Sequence, residues 1–254
     1  MGRPGQKQYR LEVSASEVTA VAALSTQELN NRVAMGVTPE RSYAQAIPPD
    51  HRRRFAQFFT PPKIASLMAE WALERGASSL LDPAVGMGVL VRAARAQRPA
   101  LDVTVFEKDP TILRAYLSTQ PDLHNLEVFF EDFLTAELQS NFDAVLMNPP
   151  YLRHHDLAYD FDIFTFFSTK YGVPISKLSN SYLLFTLKAV SALKPGGRAA
   201  IIIPTEWMNA NFGSAMKSYL VNRNVLKELI YFSNCSDVFD DALTTASVLL
   251  IESN

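Results

Sequence analysis

Cysteine is nearly absent. Cys235 is the single one in 254 residues, which excludes a disulfide framework and points to a reducing compartment. Long apolar runs are lacking as well. The longest, such as Ala199 to Ile203, are strand-sized and fall far short of the roughly 20 residues a membrane-spanning helix needs. The opening MGRPGQKQYR carries no apolar stretch of the kind found in a secretory signal. Neither sign of charge dominates: 24 Lys and Arg stand against 26 Asp and Glu, for a net charge of −2. A global electrostatic signature of nucleic-acid binding is therefore missing. The four histidines, His51, His124, His154 and His155, show no ligand spacing, so no metal is expected. These absences describe a cytoplasmic protein without a membrane segment.

What is present is globular: 48% apolar and 20% charged residues, in a chain long enough for a substantial core. Residues 1 to ~12 read as frayed. Ser25-Thr26-Gln27-Glu28 is a capping box ahead of Leu29 and Val33, Gly36 stops that helix, and Thr38-Pro39 starts another. IPPDHRRR, Ile47 to Arg54, reads as a linker, so residues 1–50 are expected to form a helical appendage and residues 51–254 the main domain. From Phe55 the pattern changes. Thr60 is placed as an N-cap with Pro61 at the first helical position, followed by Ile64, Leu67, Met68, Trp71 and Ala72 at helical spacing.

Short apolar runs then alternate with amphipathic stretches. Strands are expected at Ser79–Leu81, Val103–Phe106, Glu127–Phe130, Ala144–Met147, Ala199–Ile203, Glu228–Phe232 and Ser247–Ile251, with helices including Val89–Gln97, Pro110–Ser118 and Tyr182–Leu193. Strands apolar throughout and separated by helices imply an α/β fold, a mostly parallel seven-stranded sheet covered on both faces. Ligands in such folds bind beyond the carboxyl ends of the strands, so those ends carry the functional reading.

The first strand runs into Asp82-Pro83-Ala84-Val85-Gly86-Met87-Gly88. Gly86 and Gly88 let backbone approach a ligand closely, while the lack of a third glycine argues against a pyrophosphate cradle. Plain turn geometry is the competing reading. The second strand ends Glu107-Lys108-Asp109; an acidic residue ~20 positions after a glycine turn suits ribose hydroxyls, against the alternative of a carboxylate favoured by a helix start. The third ends Glu131-Asp132-Phe133, where a carboxylate accepts from an exocyclic amine and Phe133 stacks on a purine, or else the pair is an N-cap and a core ring. The fourth ends Asn148-Pro149-Pro150-Tyr151. Two prolines fix the backbone and remove two N–H donors, leaving the Asn148 side-chain oxygen and the Pro149 carbonyl as a bay of acceptors beside the flat Tyr151 ring. That bay suits an –NH2 group on a planar ring.

Asn148-Pro149-Pro150-Tyr151 resembles the NPPY catalytic motif of S-adenosylmethionine-dependent amino-methyltransferases, and FFTPPKIASLMA, Phe58 to Ala69, resembles their FTP cofactor motif. The order of FTP, glycine turn and NPPY is similar to that of gamma-class DNA adenine-N6 methyltransferases of restriction–modification systems. The resemblance spans about Phe55 to Ile251 and continues through Leu193-Lys194-Pro195-Gly196-Gly197, Pro204-Thr205-Glu206-Trp207 and Val238-Phe239. It departs from the common DPACGTG pattern at Val85 and Met87, which contribute mainly backbone there.

The resemblance implies a Rossmann-like methyltransferase fold that binds S-adenosylmethionine and releases S-adenosylhomocysteine, with no metal. By that implication the segment Phe59-Thr60-Pro61 and the helix it opens hold the methionine carboxylate. Asp82, Pro83, Ala84, Gly86 and Gly88 form the turn around the methionine and sulfonium. Glu107, with Lys108 beside it, takes the ribose, and Asp132 and Phe133 hold the adenine. Asn148, Pro149, Pro150 and Tyr151 grip a flipped-out target adenine in double-stranded DNA, with Phe239 as a second stacking ring. Asn148 favours adenine, because related cytosine-N4 enzymes usually carry Ser there, and a C5-cytosine enzyme needs a Pro-Cys, whereas Cys235 follows Asn234. The chain stops at Asn254, and with its net charge of −2 a target-recognition domain or subunit is expected outside it. Arg52, Arg53, Arg54, Arg153 and Lys170 are candidate phosphate contacts, and Tyr159 to Tyr171 is expected to be packing over the sheet edge. Methylation of RNA or of a protein glutamine, and a non-catalytic binding subunit, are the rival readings.

Overall fold

The central apolar runs become strands because both of their faces are covered, while the strands at the two sheet edges stay partly exposed. The structure, a computed structural model, describes residues 37–55, 57–120, 123–138, 141–232 and 245–254, and of Pro49, Arg53 and Arg54 the backbone alone. The capping box at Ser25 to Glu28, Cys235 and Phe239 lie outside the described residues, as do the Arg53 and Arg54 side chains. The helices are α1 (Pro39–Ala46), α2 (Pro49–Arg54), α3 (Pro62–Leu73), α4 (Val89–Gln97), α5 (Pro110–Thr119), α6 (Ile163–Tyr171), α7 (Ser181–Ser191) and α8 (Ser214–Asn222). The strands are β1 (Ser79–Asp82), β2 (Asp102–Phe106), β3 (Leu126–Phe129), β4 (Phe142–Met147), β5 (Leu193–Pro204), β6 (Leu226–Phe232) and β7 (Ala246–Glu252).

They form one seven-stranded sheet in the order β3-β2-β1-β4-β5-β7-β6. The first five strands pair in parallel, and β7 runs antiparallel between β5 and β6. Alternate strand residues serve opposite faces. Leu80, Ala144, Leu146, Ala200 and Ile202 pack with α3, α4 and α5, whereas Leu81, Val145, Met147, Ala199 and Ile201 pack with α6, α7 and α8. The strand order reverses between β1 and β4, so the loops after these two strands flank the crevice where doubly wound sheets bind ligands. Among the described residues no helix is long and apolar enough to cross a membrane.

Boundaries depart from the sequence reading in physically explicable ways. IPPDHRRR contains α2, with Pro49 at its start and Asp50 in its first turn, both favourable at a helix N-terminus. The helix after FFTP begins at Pro62, and Pro61 is its N-cap at φ −61°, ψ 142°, with no side-chain cap. A residue preceding proline is pushed out of the helical region, so the Pro61-Pro62 pair delays the helix by one position and releases Thr60 from capping. β5 starts six residues before the expected Ala199 because Gly196 and Gly197 pair with Ser253 (2.9 and 2.8 Å), lengthening the strand alongside β7.

The α1 helix is tied to the site end of the sheet. Glu40 pairs with Arg92, whose guanidinium also donates to the Met87 carbonyl, and Tyr43 and Ile47 share a small core with Met87 and Ile112. The loop from β1 to α4 is thereby packed from the N-terminal side. Gly88 caps α4 at φ 79°, and a Cβ there would meet the buried Tyr116 ring at 2.2 Å. Gly88→Ala is expected to cost about 2–4 kcal/mol, from left-handed strain and overpacking together. A fall in urea midpoint at unchanged m-value checks this.

Candidate active site

The β1 end dives directly into the sheet's crevice. Asp82 is 1% exposed, its Oδ1 accepts from the Ala84 N–H at 3.2 Å, and its Oδ2 has no hydrogen-bond partner among the described residues. Burial is the main cause that pushes its pKa up to about 8. The turn that follows is pinned by Val85 N donating to the Phe106 carbonyl at 3.0 Å and Gly88 N to Val85 at 2.8 Å.

Glu107, beyond β2, reaches back to this turn. Its Oε2 accepts from Gly86 N at 3.1 Å, and its Oε1 from Lys108 N and Asp109 N at 2.9 and 3.0 Å. Burial outweighs these bonds and raises its pKa to about 7. A carboxylate has about four acceptor positions, so one on Oε2 is left for a ligand hydroxyl. Asp109, fully buried, is bonded by His51 (2.7 Å) and Gln57 (2.6 Å). This cluster draws α2 and Gln57 onto the β2 end.

After β3, Asp132 Oδ1 accepts from Leu134 N at 2.9 Å while Oδ2 accepts from Lys108 Nζ (3.1 Å) and the Tyr159 hydroxyl (2.8 Å). The Phe133 ring is 1% exposed and packs between Phe106 and Phe185 at centroid distances of 5.4 and 5.5 Å. It forms wall more than open platform. β3 ends at Phe129, and the expected last strand residue, Phe130, is 43% exposed beyond it.

After β4, the Asn148 amide has a defined orientation. Its Nδ2 donates to the Phe58 carbonyl at 2.8 Å and to Thr60 Oγ1 at 3.0 Å, and its Oδ1 accepts from the Tyr151 hydroxyl at 2.6 Å. Both N–H bonds face pure acceptors or a hydroxyl, which sets which end of the amide is oxygen. Thr60, 2% exposed, therefore serves Asn148 rather than the helix end. Among the described residues nothing donates to the Pro149 carbonyl. The Tyr151 ring stacks on Phe58 at 5.6 Å with 19° between planes. The loop leaving the motif is held by Ser181 at the start of α7, whose Oγ donates to the Pro150 carbonyl and accepts from Leu152 N (3.0 Å).

These four ends share one cavity, with about 800 Å³ of space counting the part that opens to solvent. Of the expected residues, Phe59, Thr60, Pro83, Ala84 and Gly86 line it on one side. Glu107, Lys108, Asp132 and Phe133 line it on another, with Asn148 and Pro150 at its end. Pro61, Asp82, Gly88, Pro149 and Tyr151 stand outside its wall, and Phe239 is not among the described residues. Gln57, Phe58, Ile112 and Phe185 line it without having been expected. Gln57 and Phe58 adjoin the FTP segment, whose neighbourhood was the available signal; Phe185 sits in an ordinary helical pattern and offered none. Acceptor oxygens on Glu107 and Asp132 with capacity to spare fit a ligand bearing hydroxyl and amine groups. Among the described residues no cluster of three or more His, Cys, Asp or Glu could hold a metal. His154 and His155 lie on a short turn beside the motif, His155 exposed, and Arg153 and Lys170 are exposed too. The segment from Tyr159 divides, with Ile163, Phe164, Phe167 and Tyr171 buried and Phe161 and Phe166 exposed.

Sheet order, reversal point and acceptor-lined cavity define a Rossmann-like methyltransferase fold. The crystal structure of the M protein of the type I restriction enzyme EcoKI shares it, with a TM-score of 0.57 at 18% identity over 90% of this chain and 55% of that one. The profile of the Eco57I restriction-modification methylase family matches residues 101–239, and the chain belongs to that family. It is 37% identical over 213 residues to the type II methyltransferase M.AccI of Acinetobacter calcoaceticus, covering 83% of this chain and 39% of that protein. It is 29% identical over 248 residues to M.XamI of Xanthomonas campestris pv. amaranthicola, covering 93% and 47%. The chain thus spans less than half the length of these relatives.

The two raised carboxylates give the protein a pH signature. In the unfolded chain they ionise near their ordinary values of 3.8 and 4.5, in the fold at about 8 and 7. Between those limits the unfolded state binds fewer protons, so stability falls as pH rises and levels off above about 8. Asp82→Asn removes the larger share. Its melting temperature is expected to drop less than that of the wild type between about pH 5 and pH 8, and an unchanged pH slope by calorimetry would sink this account.

Proposed function

We propose that this chain is the catalytic part of a DNA methyltransferase of a restriction–modification system, acting on the N6 amine of a flipped-out adenine in double-stranded DNA. The observation that carries the reading is the Asn148 amide, whose nitrogen is committed to Phe58 and Thr60 so that its oxygen faces Tyr151 at the motif. Family membership and the acceptor-lined cavity support it.

S-Adenosylmethionine, bound in the cavity, would supply a methyl group made electrophilic by its sulfonium. Glu107 would accept from its ribose and Asp132 from its adenine amine. Thr60 would donate its hydroxyl proton to the carboxylate while its oxygen still accepts from Asn148. Asp82, ionised by a cationic ligand, would hold the methionine end. At the other side Asn148 Oδ1 and the Pro149 carbonyl accept the two N–H bonds of the target amine. That arrangement localises the nitrogen lone pair and stabilises positive charge as it develops there. The Tyr151 ring supplies the stacking surface for an extruded base. Entry of the base replaces the Tyr151 hydroxyl on Asn148 Oδ1 and displaces the Phe58 ring, which faces Tyr151 in this structure. Sequence reading of DNA is assigned to a recognition domain or subunit outside these 254 residues, because the net charge is −2 and the chain spans less than half the length of the type II methyltransferases it matches.

Offering DNA, RNA and protein substrates side by side with labelled cofactor, to the chain in its natural flanking sequence, tests the class of acceptor. Label in DNA adenine is expected, and label confined to RNA or to glutamine would overturn the reading. Asn148→Ala is expected to lower kcat by at least about 10²- to 10³-fold, the loss typical of one preorganised charge-stabilising group. Wild-type turnover in that variant refutes the assignment of Asn148.

A further inference from the structure

Lys188 is buried where a lysine is expensive. It lies on α7, is 4% exposed, and forms no ion pair among the described residues. Its ammonium instead donates to three backbone carbonyls, those of Phe133, Leu134 (3.3 Å) and Ala136, and sits 4.8 Å from the centroid of the Phe133 ring. Burial, then the charge of Lys170, lowers its pKa to about 8, so at pH 7 it is still mostly charged. A buried ammonium survives only where acceptors replace its hydration. Three carbonyls converging from one short loop do so, and conversely the cation fixes that loop. The loop is the one that begins at Asp132, whose Oδ1 is already turned by Leu134 N and whose Oδ2 is held by Lys108 and Tyr159. With one carboxylate oxygen retaining acceptor capacity, small changes in the loop decide where that capacity points.

We infer that Lys188 is a positioning residue for adenine discrimination: by clamping the carbonyls of Phe133 to Ala136 it aims Asp132 at the exocyclic amine of the cofactor's adenine and holds Phe133 as the adjoining wall. This rests on the proposed role of Asp132 and extends it to a residue two helical turns from the Ser181 that secures the NPPY loop. A merely structural lysine would predict something different. Removing it would weaken every ligand of the cavity alike.

The test compares two ligands that differ only at the purine, S-adenosylhomocysteine and S-inosylhomocysteine, in which the amine is replaced by a carbonyl oxygen. Calorimetric titration of the chain at pH 7 is expected to show a wild-type preference for the adenine form of about tenfold or more, the size of one hydrogen bond to a charged group. In Lys188→Met that preference is expected to fall below about threefold, with faster hydrogen exchange confined to residues 131–138. Lys188→Arg keeps a cation, but its planar fork cannot meet three carbonyls converging on a point, so it too is expected to lose preference in a folded protein. A preference retained in either folded variant overturns the inference while leaving Asp132 in place. Failure of both variants to fold overturns it in favour of a purely structural role. A wild-type preference near one overturns the reading of Asp132 itself, and this role for Lys188 with it.

Discussion

One side-chain amide joins the two halves of the site. Asn148 Nδ2 bonds across ninety residues of chain to the Phe58 carbonyl and to Thr60, so the segment that closes the cavity from the N-terminal side and the loop after the central strand are held in one register. The bond explains why Thr60 is not a helix cap, because the Pro61-Pro62 pair postpones the helix and leaves the hydroxyl available. It also explains the direction of the acceptor. An asparagine with both N–H bonds engaged has only its oxygen to offer, and the fold has placed the Tyr151 hydroxyl against that oxygen.

A second organising element is α7. Its first residue, Ser181, bonds the Pro150 carbonyl and the Leu152 amide; Phe185, one turn on, lines the cavity; Lys188 holds the loop after β3. One helix thus braces the loops from two strands that are not neighbours in the sheet. The electrostatics of the cavity follow from the same enclosure. Asp82 and Glu107 are raised because burial outweighs the backbone N–H bonds they receive, which leaves the site poorer in negative charge than its residue types suggest and ready to ionise around a cation.

Much of the fold was legible in advance. The seven strands fall close to the expected runs: the central ones are buried on both faces and so apolar almost throughout, the edge strands β3 and β6 are partly exposed, and ends shift by a few residues where backbone pairing extends them, as at Gly196 and Gly197. The glycine turn, Glu107, Asp132 and Asn148 were each visible as chemistry at a strand end. Less visible were residues whose contribution depends on a distant partner. Gln57 acquires meaning only when Asp109 is beside it, Phe58 only against Tyr151, and Lys188 only over the Phe133 loop. In the sequence these are an amide, an apolar residue and a helix cation.

The sequence by itself pointed to the class of chemistry, because Asn-Pro-Pro-Tyr after a buried strand limits the backbone to a rigid turn, removes two N–H donors and leaves an amide, a free carbonyl and a ring at its end. Tertiary structure alone decided how that chemistry is oriented. Which way the Asn148 amide faces, whether Phe133 is a platform or a wall, and how the carboxylates are charged all depend on groups tens of residues away in the chain, brought within a few ångströms by a parallel sheet whose neighbouring strands are distant in sequence.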